Sequence, residues 1–176
     1  MKKLFKLIKI EVYDILYFIF YHLPGYYISN KLRGYFMGLY LKSHGNQFIL
    51  NKEVIIESPQ NIEIGNNVKI NARCWISGGG NLTIESNVLI GPLVIIHTAN
   101  HQFEDTSMNI ELQGHIKRPV LIKKNSWIGA SVIILPGVII SENCIIGAGS
   151  VVTKNTEPYS VYAGNPAKKI RNLKVN

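Results

Sequence analysis

A six-residue period between Val120 and Val152 constrains the fold of this chain more than any other feature. Isoleucine opens each successive six, and a small or β-branched residue stands four places later. The opening residues are Ile122, Ile128, Ile134, Ile140 and Ile146, and the later ones are Ser126, Val132, Val138, Cys144 and Ser150. Neither a helix nor an ordinary strand keeps that period without drift. It is typical of a parallel β-helix, in which three sixes close one coil of about 18 residues.

The same register appears less regularly upstream. Ile64, Ile70 and Ile76 follow one another at a spacing of six, and a second series from Ile84 resumes after a shift of two residues at Gly78-Gly79-Gly80. We therefore predict a β-helix over residues 46–157, with a small outward loop at Ser77–Asn81.

Composition is consistent with one domain. The 176 residues are 47% apolar, enough to bury a substantial core, and the net charge of +8 favours anionic partners. Cys74 and Cys144 occupy the small inward position of their sixes, so we predict buried free thiols. A nucleic-acid partner is not expected, because no face interleaves aromatic with basic residues.

Residues 1–45 lack the six-residue register and predict an N-terminal helical segment. The first helix has a polar stripe and ends near Pro24-Gly25; the stripe comprises Lys2, Lys6, Lys9 and Tyr13. A second helix is predicted from Ser29 to about His44-Gly45. Charged residues interrupt the apolar run, so neither a secretion signal nor a spanning helix is expected. Residues 1–25 either cap the first coil or a neighbouring subunit, or lie on the inner membrane surface as a peripheral helix.

Two further segments depart from the repeat. Residues 99–116 are polar and predict one loop extruded from the coil, which is a common location for functional residues. Residues 158–176 leave the repeat through a Pro/Gly turn, and we predict a short basic C-terminal helix that caps the last coil.

Four motifs carry a resemblance to a known family. They are Thr98-Ala-Asn-His, Asn125-Ser-Trp-Ile-Gly-Ala, Ile146-Gly-Ala-Gly-Ser-Val-Val-Thr-Lys and Ala163-Gly-Asn-Pro-Ala-Lys-Lys-Ile-Arg. Over residues 60–172 the chain resembles the hexapeptide-repeat acyltransferases, in the branch of galactoside, maltose and polysaccharide O-acetyltransferases. The resemblance implies an all-β solenoid, a left-handed parallel β-helix, and homotrimers with coenzyme and acceptor between subunits. The left hand comes from the resemblance alone, since the usual crossover rule favours the right.

His101 is the predicted catalytic residue. Acetyl transfer to a hydroxyl needs a base, and a neutral imidazole suits that task. The resemblance implies the same role for His101, with direct transfer and no acyl-enzyme. It also implies that Asn71, thirty residues earlier, positions the acceptor. Galactoside-type members have an acidic residue where this chain has Gly78-Gly79-Gly80, which argues against their acceptor specificity.

The resemblance also implies a site for acetyl-CoA as co-substrate. Trp127 would pack along the pantetheine arm, the amide of Ala130 would face the thioester oxygen, and Ala148 would line the adenine end. The phosphates would be surrounded by Thr153, Lys154, Lys168 and Arg171. No metal is expected to be required.

The interpretation is therefore a cytoplasmic acetyl-CoA-dependent O-acetyltransferase of a sugar hydroxyl, in surface polysaccharide or lipid-linked glycan synthesis. A xenobiotic alcohol such as an antibiotic is the alternative acceptor, and an amino group is a third. A gamma-carbonic-anhydrase-like hydratase would need zinc ligands such as His97, His101 and His115. An inactive scaffold is the remaining alternative.

Overall fold

The computed structural model describes residue 12 and residues 15–174. Lys2, Lys6, Lys9 and Tyr13, which form the predicted polar stripe, lie outside the described residues, as do residues 175–176. Helix α1 is described at residue 12 and over residues 15–22, and helix α2 is Tyr27–Gly38. Within this described part of the chain, no helix is both long and apolar enough to cross a membrane.

Short strands form three sheets that wind around one core, and their strands are parallel except for the last one, β19 (Lys168–Asn172). Sheet A contains β1 (Ser43–His44), β4 (Ile62–Ile64), β7 (Leu82–Ile84), β12 (Val120–Ile122) and β15 (Ile139–Ile140). Sheet B contains β2 (Ile49–Leu50), β5 (Lys69–Ile70), β8 (Leu89–Ile90), β13 (Trp127–Ile128), β16 (Ile145–Ile146), β18 (Ser160–Ala163) and β19 (Lys168–Asn172). Sheet C contains β3 (Ile55–Glu57), β6 (Trp75–Ser77), β9 (Ile95–Ile96), β14 (Ile133–Ile134) and β17 (Val151–Val152). The remaining strands, β10 (Ala99–His101) and β11 (His115–Lys117), form a separate hairpin.

The six-residue period predicts the core correctly. Ile122 lies opposite Ile140 on neighbouring coils, and the isoleucines that open the sixes are fully buried. Partners are 20 residues apart in the early coils, as with Ile64 and Ile84, and 18 apart in the late ones. Each sheet therefore contributes one inward apolar column, and the columns together fill the solenoid.

Both cysteines are free and buried, as predicted. The thiol of Cys74 donates to the carbonyl oxygens of Asn71 and Gly91 at 3.1 and 3.2 Å. Burial raises the pKa of Cys74 to about 11, so its thiol stays protonated near neutral pH.

The corners between sheets A and B require a left-handed backbone residue, and asparagine supplies it repeatedly. Asn67, Asn87, Asn125 and Asn143 have φ between 54° and 60°. Asparagine tolerates this region better than other residues with a side chain, because its short amide bonds locally. Asparagine therefore marks this corner in four coils, and Gln47 takes the same position in the first coil with φ of 58°.

The second predicted helix has different bounds in the structure. Helix α2 begins at Tyr27, before the predicted cap Ser29, and ends at Gly38 rather than near His44. His44 is extended because it belongs to β1, where it lies opposite Ile64 of β4. The solenoid thus begins at residue 43, and pairing with the next coil ends the helix early.

The predicted C-terminal helix is wrong: β18 and β19 form an antiparallel hairpin there. Strand β18 extends sheet B by pairing in parallel with β16, which leaves its other edge with unpaired backbone groups. Strand β19 satisfies that edge, with Val161 opposite Arg171 and Ala163 opposite Lys168. A helix would have left those donors and acceptors open.

Candidate active site

The predicted extruded loop is present, and its two ends pair as an antiparallel hairpin. Strands β10 and β11 place His101 directly opposite His115, with ring centroids 4.2 Å apart. Farther out, Gln113 donates from its side-chain amide to the carbonyl oxygens of Asp105 and Met108, at 2.8 and 3.0 Å. The pairing and the bonded tip hold His101 on an ordered strand rather than on a free loop.

The base of the hairpin is locked to the preceding coil. Thr98 is fully buried, donates from its hydroxyl to the carbonyl of Ser77 at 2.9 Å, and accepts from the amide of Gly80 at 2.8 Å. A Cβ at Gly80 would collide with the Thr98 carbonyl. We predict an outward loop at the glycine run, but Gly78 and Gly80 are buried. Gly80 packs against the hairpin base, and Gly78 packs against Ser58 and Ile62.

His101 lines an open groove of about 650 Å³ at the corner between sheets C and A. The groove is polar and spans the first three coils, and its lining comprises Glu57, Ser58, Ser77, Gly79, His97, Ala99, Asn100, His101, His115 and Lys117. The imidazole of His101 is exposed, so an acceptor hydroxyl can approach it from solvent.

Glu57 is a groove residue that the sequence analysis missed. It ends β3 and brings a carboxylate to the groove that also holds His101. Glu57 lies two coils before the hairpin. Its spacing from His101 along the chain therefore did not indicate that the two residues share a groove. The available signal was its position as the last residue of an alternating strand of the first coil, opposite Ser77 in the next coil.

The alternative of a carbonic-anhydrase-like hydratase requires zinc ligands such as His97, His101 and His115. Among residues 12 and 15–174, no group of three or more His, Cys, Asp or Glu side chains is arranged to hold a metal ion. His97 instead lies beside Trp75, with ring centroids 6.5 Å apart.

Asn71 lies outside the groove lining. Its side-chain amide donates to the carbonyl of Ile90 at 2.9 Å, and its oxygen accepts from Asn51 at 3.2 Å. Asn51 in turn accepts from Asn30 of α2 at 2.8 Å. Within one chain Asn71 is thus a half-buried member of an asparagine ladder at the corner between sheets B and C.

The predicted coenzyme residues divide between two corners. Trp127 is half exposed on β13, and Ala130 and Ala148 follow at the corner between sheets B and C. The amide of Ala130 donates to no group in the described part of the chain. The equivalent corner position one coil earlier holds Pro92, which has no N–H, so the coil does not need this donor. The Ala130 amide is therefore free for a ligand.

The predicted phosphate-binding residues are all exposed. Thr153 and Lys154 follow β17 at the corner between sheets C and A, whereas Lys168 and Arg171 lie on β19 beside sheet B. Across residues 12 and 15–174, no carboxylate pairs with these three cations. The structure thus brings Trp127, Ala130 and Ala148 along one side, and it places sheet C between them and His101.

The chain is similar to a known protein family and to individual acetyltransferases. A family model described as bacterial transferase hexapeptide (six repeats) matches residues 119–154. A candidate acetyltransferase of Staphylococcus aureus (strain COL) is 43% identical over 115 residues, or 64% of this chain and 56% of that protein. Another candidate acetyltransferase, from Saccharomyces cerevisiae, is 40% identical over 134 residues, or 76% of this chain and 67% of that protein.

Solved structures share the whole fold. A maltose O-acetyltransferase from Clostridium difficile 630 is 32% identical with a TM-score of 0.81, over 94% of this chain and 86% of that one. The chain belongs to the hexapeptide-repeat acetyltransferase family. A galactoside acetyltransferase in complex with coenzyme A is 31% identical, with a TM-score of 0.82 over 92% and 79% of the two chains. A family member from Vibrio cholerae complexed with acetyl coenzyme A is 26% identical, with a TM-score of 0.82 over 93% and 86%.

Family membership settles the hand of the solenoid, which matches the left-handed β-helix of hexapeptide-repeat acetyltransferases. The structural likeness to the maltose enzyme covers 94% of the chain and so extends beyond residues 60–172, where the sequence resemblance lay. The chain spans little more than half the length, 56%, of the staphylococcal relatives that it matches.

Proposed function

We propose that this hexapeptide-repeat acetyltransferase transfers the acetyl group of acetyl-CoA to a sugar hydroxyl, with His101 as the general base. The observation that carries the proposal is the exposed imidazole of His101, presented by a locked hairpin in a polar groove of about 650 Å³. The family members in complex with acetyl coenzyme A and coenzyme A support the donor.

The proposed chemistry is a direct transfer. A ring nitrogen of His101 takes the hydroxyl proton while the acceptor oxygen bonds to the thioester carbon. The free amide of Ala130 donates to the oxygen of the tetrahedral intermediate, which bears the negative charge. The carbon–sulfur bond then breaks, the electron pair leaves with sulfur, and the imidazolium returns its proton to give CoA thiol and the acetyl ester.

The proposed roles of the coenzyme-binding residues are supported by their positions on the solenoid and by cationic side chains without an ion-pair partner among the described residues. Trp127 offers an exposed indole face along sheet B for the pantetheine arm, and Ala148 lies one coil beyond Ala130 for the adenine end. Lys154, Lys168 and Arg171 are the proposed phosphate partners, with Thr153 beside Lys154, because these exposed cations are unpaired within the described residues.

The proposed assembly is a homotrimer. Ala130 precedes sheet C and His101 follows it, so one chain holds the two halves of the reaction on opposite sides of that sheet. A neighbouring subunit can unite one chain's groove with another chain's coenzyme side. The outward face of sheet C is apolar enough for such a contact; its outward residues are Ile55, Trp75, Ile95, Ile133 and Val151.

The proposed acceptor is a glycan that is modified in the cytoplasm during surface polysaccharide or lipid-linked glycan synthesis. Glu57, Ser58 and Ser77 give the groove acceptors and donors suited to several hydroxyls of one sugar. The maltose and galactoside enzymes among the structural neighbours support a sugar. Asn71 of an adjacent subunit is the proposed partner that positions the acceptor.

Release of free thiol from acetyl-CoA tests the function, with a panel of sugars and nucleotide sugars as acceptors. His101→Ala should lower turnover by about 10²–10⁴-fold, the usual range for loss of a general base, while calorimetry still detects coenzyme binding. His22→Ala is the matched control, since His22 is exposed on α1 and outside the groove. Turnover by His101→Ala close to that of the unmodified protein would refute this mechanism.

A further inference from the structure

The exposed sides of the two N-terminal helices are apolar. Ten large hydrophobic side chains between residues 12 and 39 are exposed: Val12, Ile15, Phe18, Ile19, Tyr26, Tyr27, Ile28, Leu32, Tyr35 and Leu39. On α2, residues 28, 32 and 35 recur at helical spacing along one side, and Ile28 is 71% exposed. An apolar patch of this extent on a small chain marks an interaction site. We name it the N-terminal apolar face.

The opposite face of the same helices is firmly packed. Phe20 and Phe36 stack with ring centroids 4.6 Å apart, and the hydroxyl of Tyr17 donates to the Val54 carbonyl at 3.0 Å. Met37 is buried in the common core. The helices therefore cap the first coil, and the packing presents the N-terminal apolar face as a surface held in one orientation.

From residue 15 to residue 42 the charged residues are all basic, whereas Glu11 and Asp14 flank Val12 in the sequence. Residues 15–42 contain no Asp or Glu, whereas Lys31 is exposed within the face and lies 4.5 Å from the ring centre of Tyr27. Tyrosines at 26, 27 and 35 combine an apolar ring with a polar tip, which is the chemistry favoured at the boundary between lipid head groups and acyl chains. An apolar, tyrosine-rich, cationic face complements an anionic lipid surface.

We propose that the N-terminal apolar face docks on an anionic lipid bilayer, with α2 lying in the interfacial plane. The two helices thus have two roles: their inner side closes the solenoid, and their outer side, the N-terminal apolar face, binds lipid. The cap and membrane interpretations of the N-terminal segment are then complementary, because they use different sides of the same helices.

Docking would bring the groove close to the lipid. Glu57 and Ser58 belong to the first coil, which the helices cover, and His97 follows two coils later. Neighbouring coils are about 4.8 Å apart, so roughly 10 Å of solenoid separates these groove residues. Resting on the proposed function, we infer that the acceptor sugar is attached to a lipid in that bilayer.

Vesicle co-sedimentation tests the docking surface. The full chain should sediment with phosphatidylcholine vesicles that contain phosphatidylglycerol, less with phosphatidylcholine alone, and less as salt rises. The combined variant Ile28→Gln, Leu32→Gln and Tyr35→Gln should lower the partition coefficient at least about tenfold, because three inserted side chains lose their apolar contact. Glutamine keeps helix propensity, and these side chains are exposed, so the fold is retained.

The matched control is Ile110→Gln with Leu112→Gln, which removes exposed apolar side chains from the loop far along the chain. This variant should sediment as the unmodified chain does. Failure of the full chain to bind anionic vesicles at low salt would overturn the proposal. Conversion of an oligomer to monomers by the α2 variant would also overturn it, by assigning the face to a second copy of the chain.

A second measurement concerns the acceptor. Acetylation of a glycolipid in anionic vesicles should be at least several-fold faster than acetylation of the same sugar in solution, and the α2 variant should lose only that advantage. Equal rates for both acceptors would overturn the lipid-linked acceptor while leaving the transferase function intact. Absence of thiol release with every acceptor would instead count against the proposed function.

Discussion

At the scale of single residues, Glu57 supplies a carboxylate that the glycine run does not. The acidic residue of galactoside-type members is absent at Gly78-Gly79-Gly80, and Gly80 is instead pressed against the base of the hairpin. Glu57 reaches the same groove from the first coil. The groove proposed for the acceptor thus receives a carboxylate from the first coil.

Glu57→Gln should raise the KM for the sugar acceptor by about 10–100-fold, because a hydrogen bond to a charged group contributes about 1.5–3 kcal/mol. Coenzyme affinity should not change. Steady-state kinetics with varied acceptor and saturating acetyl-CoA measures the effect. Glu63→Gln is the control: it removes a carboxylate outside the groove that pairs with Lys42 at 2.6 Å. An unchanged acceptor KM in the Glu57 variant would exclude this role.

At the scale of elements, one buried arginine joins the two helices. The guanidinium of Arg33 on α2 donates to the carbonyl oxygens of Phe20, Leu23 and Pro24 and to the side chain of Asn30. Burial lowers the pKa of Arg33, yet the group stays charged at any ordinary pH. The last carbonyls of α1 carry the negative end of the helix dipole, so Arg33 acts as their cap.

Arg33→Met should lower the free energy of unfolding by about 3 kcal/mol, because several carbonyl oxygens lose their donor in a buried setting. Thermal unfolding at fixed protein concentration reports the change. Arg73→Met serves as control, since Arg73 is exposed and its ion-pair partner among the described residues is Glu53, so its loss should cost less than about 1 kcal/mol. If the two variants melt together, Arg33 does not hold the helices.

At the scale of the whole molecule, the three faces of the solenoid differ in polarity. Sheet C presents an apolar stripe that includes Trp75 and Ile133, whereas the early coils of sheet A present Ser43, Glu63 and Thr83. A contact on sheet C would also join the two separated parts of the proposed active site. The fold and the chemistry therefore favour the same assembly.

Ile133→Lys should convert the proposed trimer to monomers and reduce acetyl transfer at least about tenfold, because a charge within the stripe would be desolvated on association. Light scattering and the thiol-release assay measure both effects on one sample. Thr83→Lys makes the matched change on sheet A and should leave mass and turnover unchanged. A fully active monomer of the unmodified chain would contradict the trimer.

The sequence by itself determined the solenoid, its loop and its family, because a six-residue period places one aliphatic side chain inward on every strand. The motifs at residues 125–130 and 98–101 could be recognised in the sequence because each is a short run of neighbouring residues. The C-terminal hairpin was not readable, since residues 168–172 become a strand only beside the open edge of β18. The groove could not be predicted from the sequence either. Glu57 and His101 are far apart along the chain, and only the winding of the solenoid brings them to the same groove. Which apolar residues of the N-terminal helices are buried, and which form the N-terminal apolar face, was likewise decided by packing on the first coil.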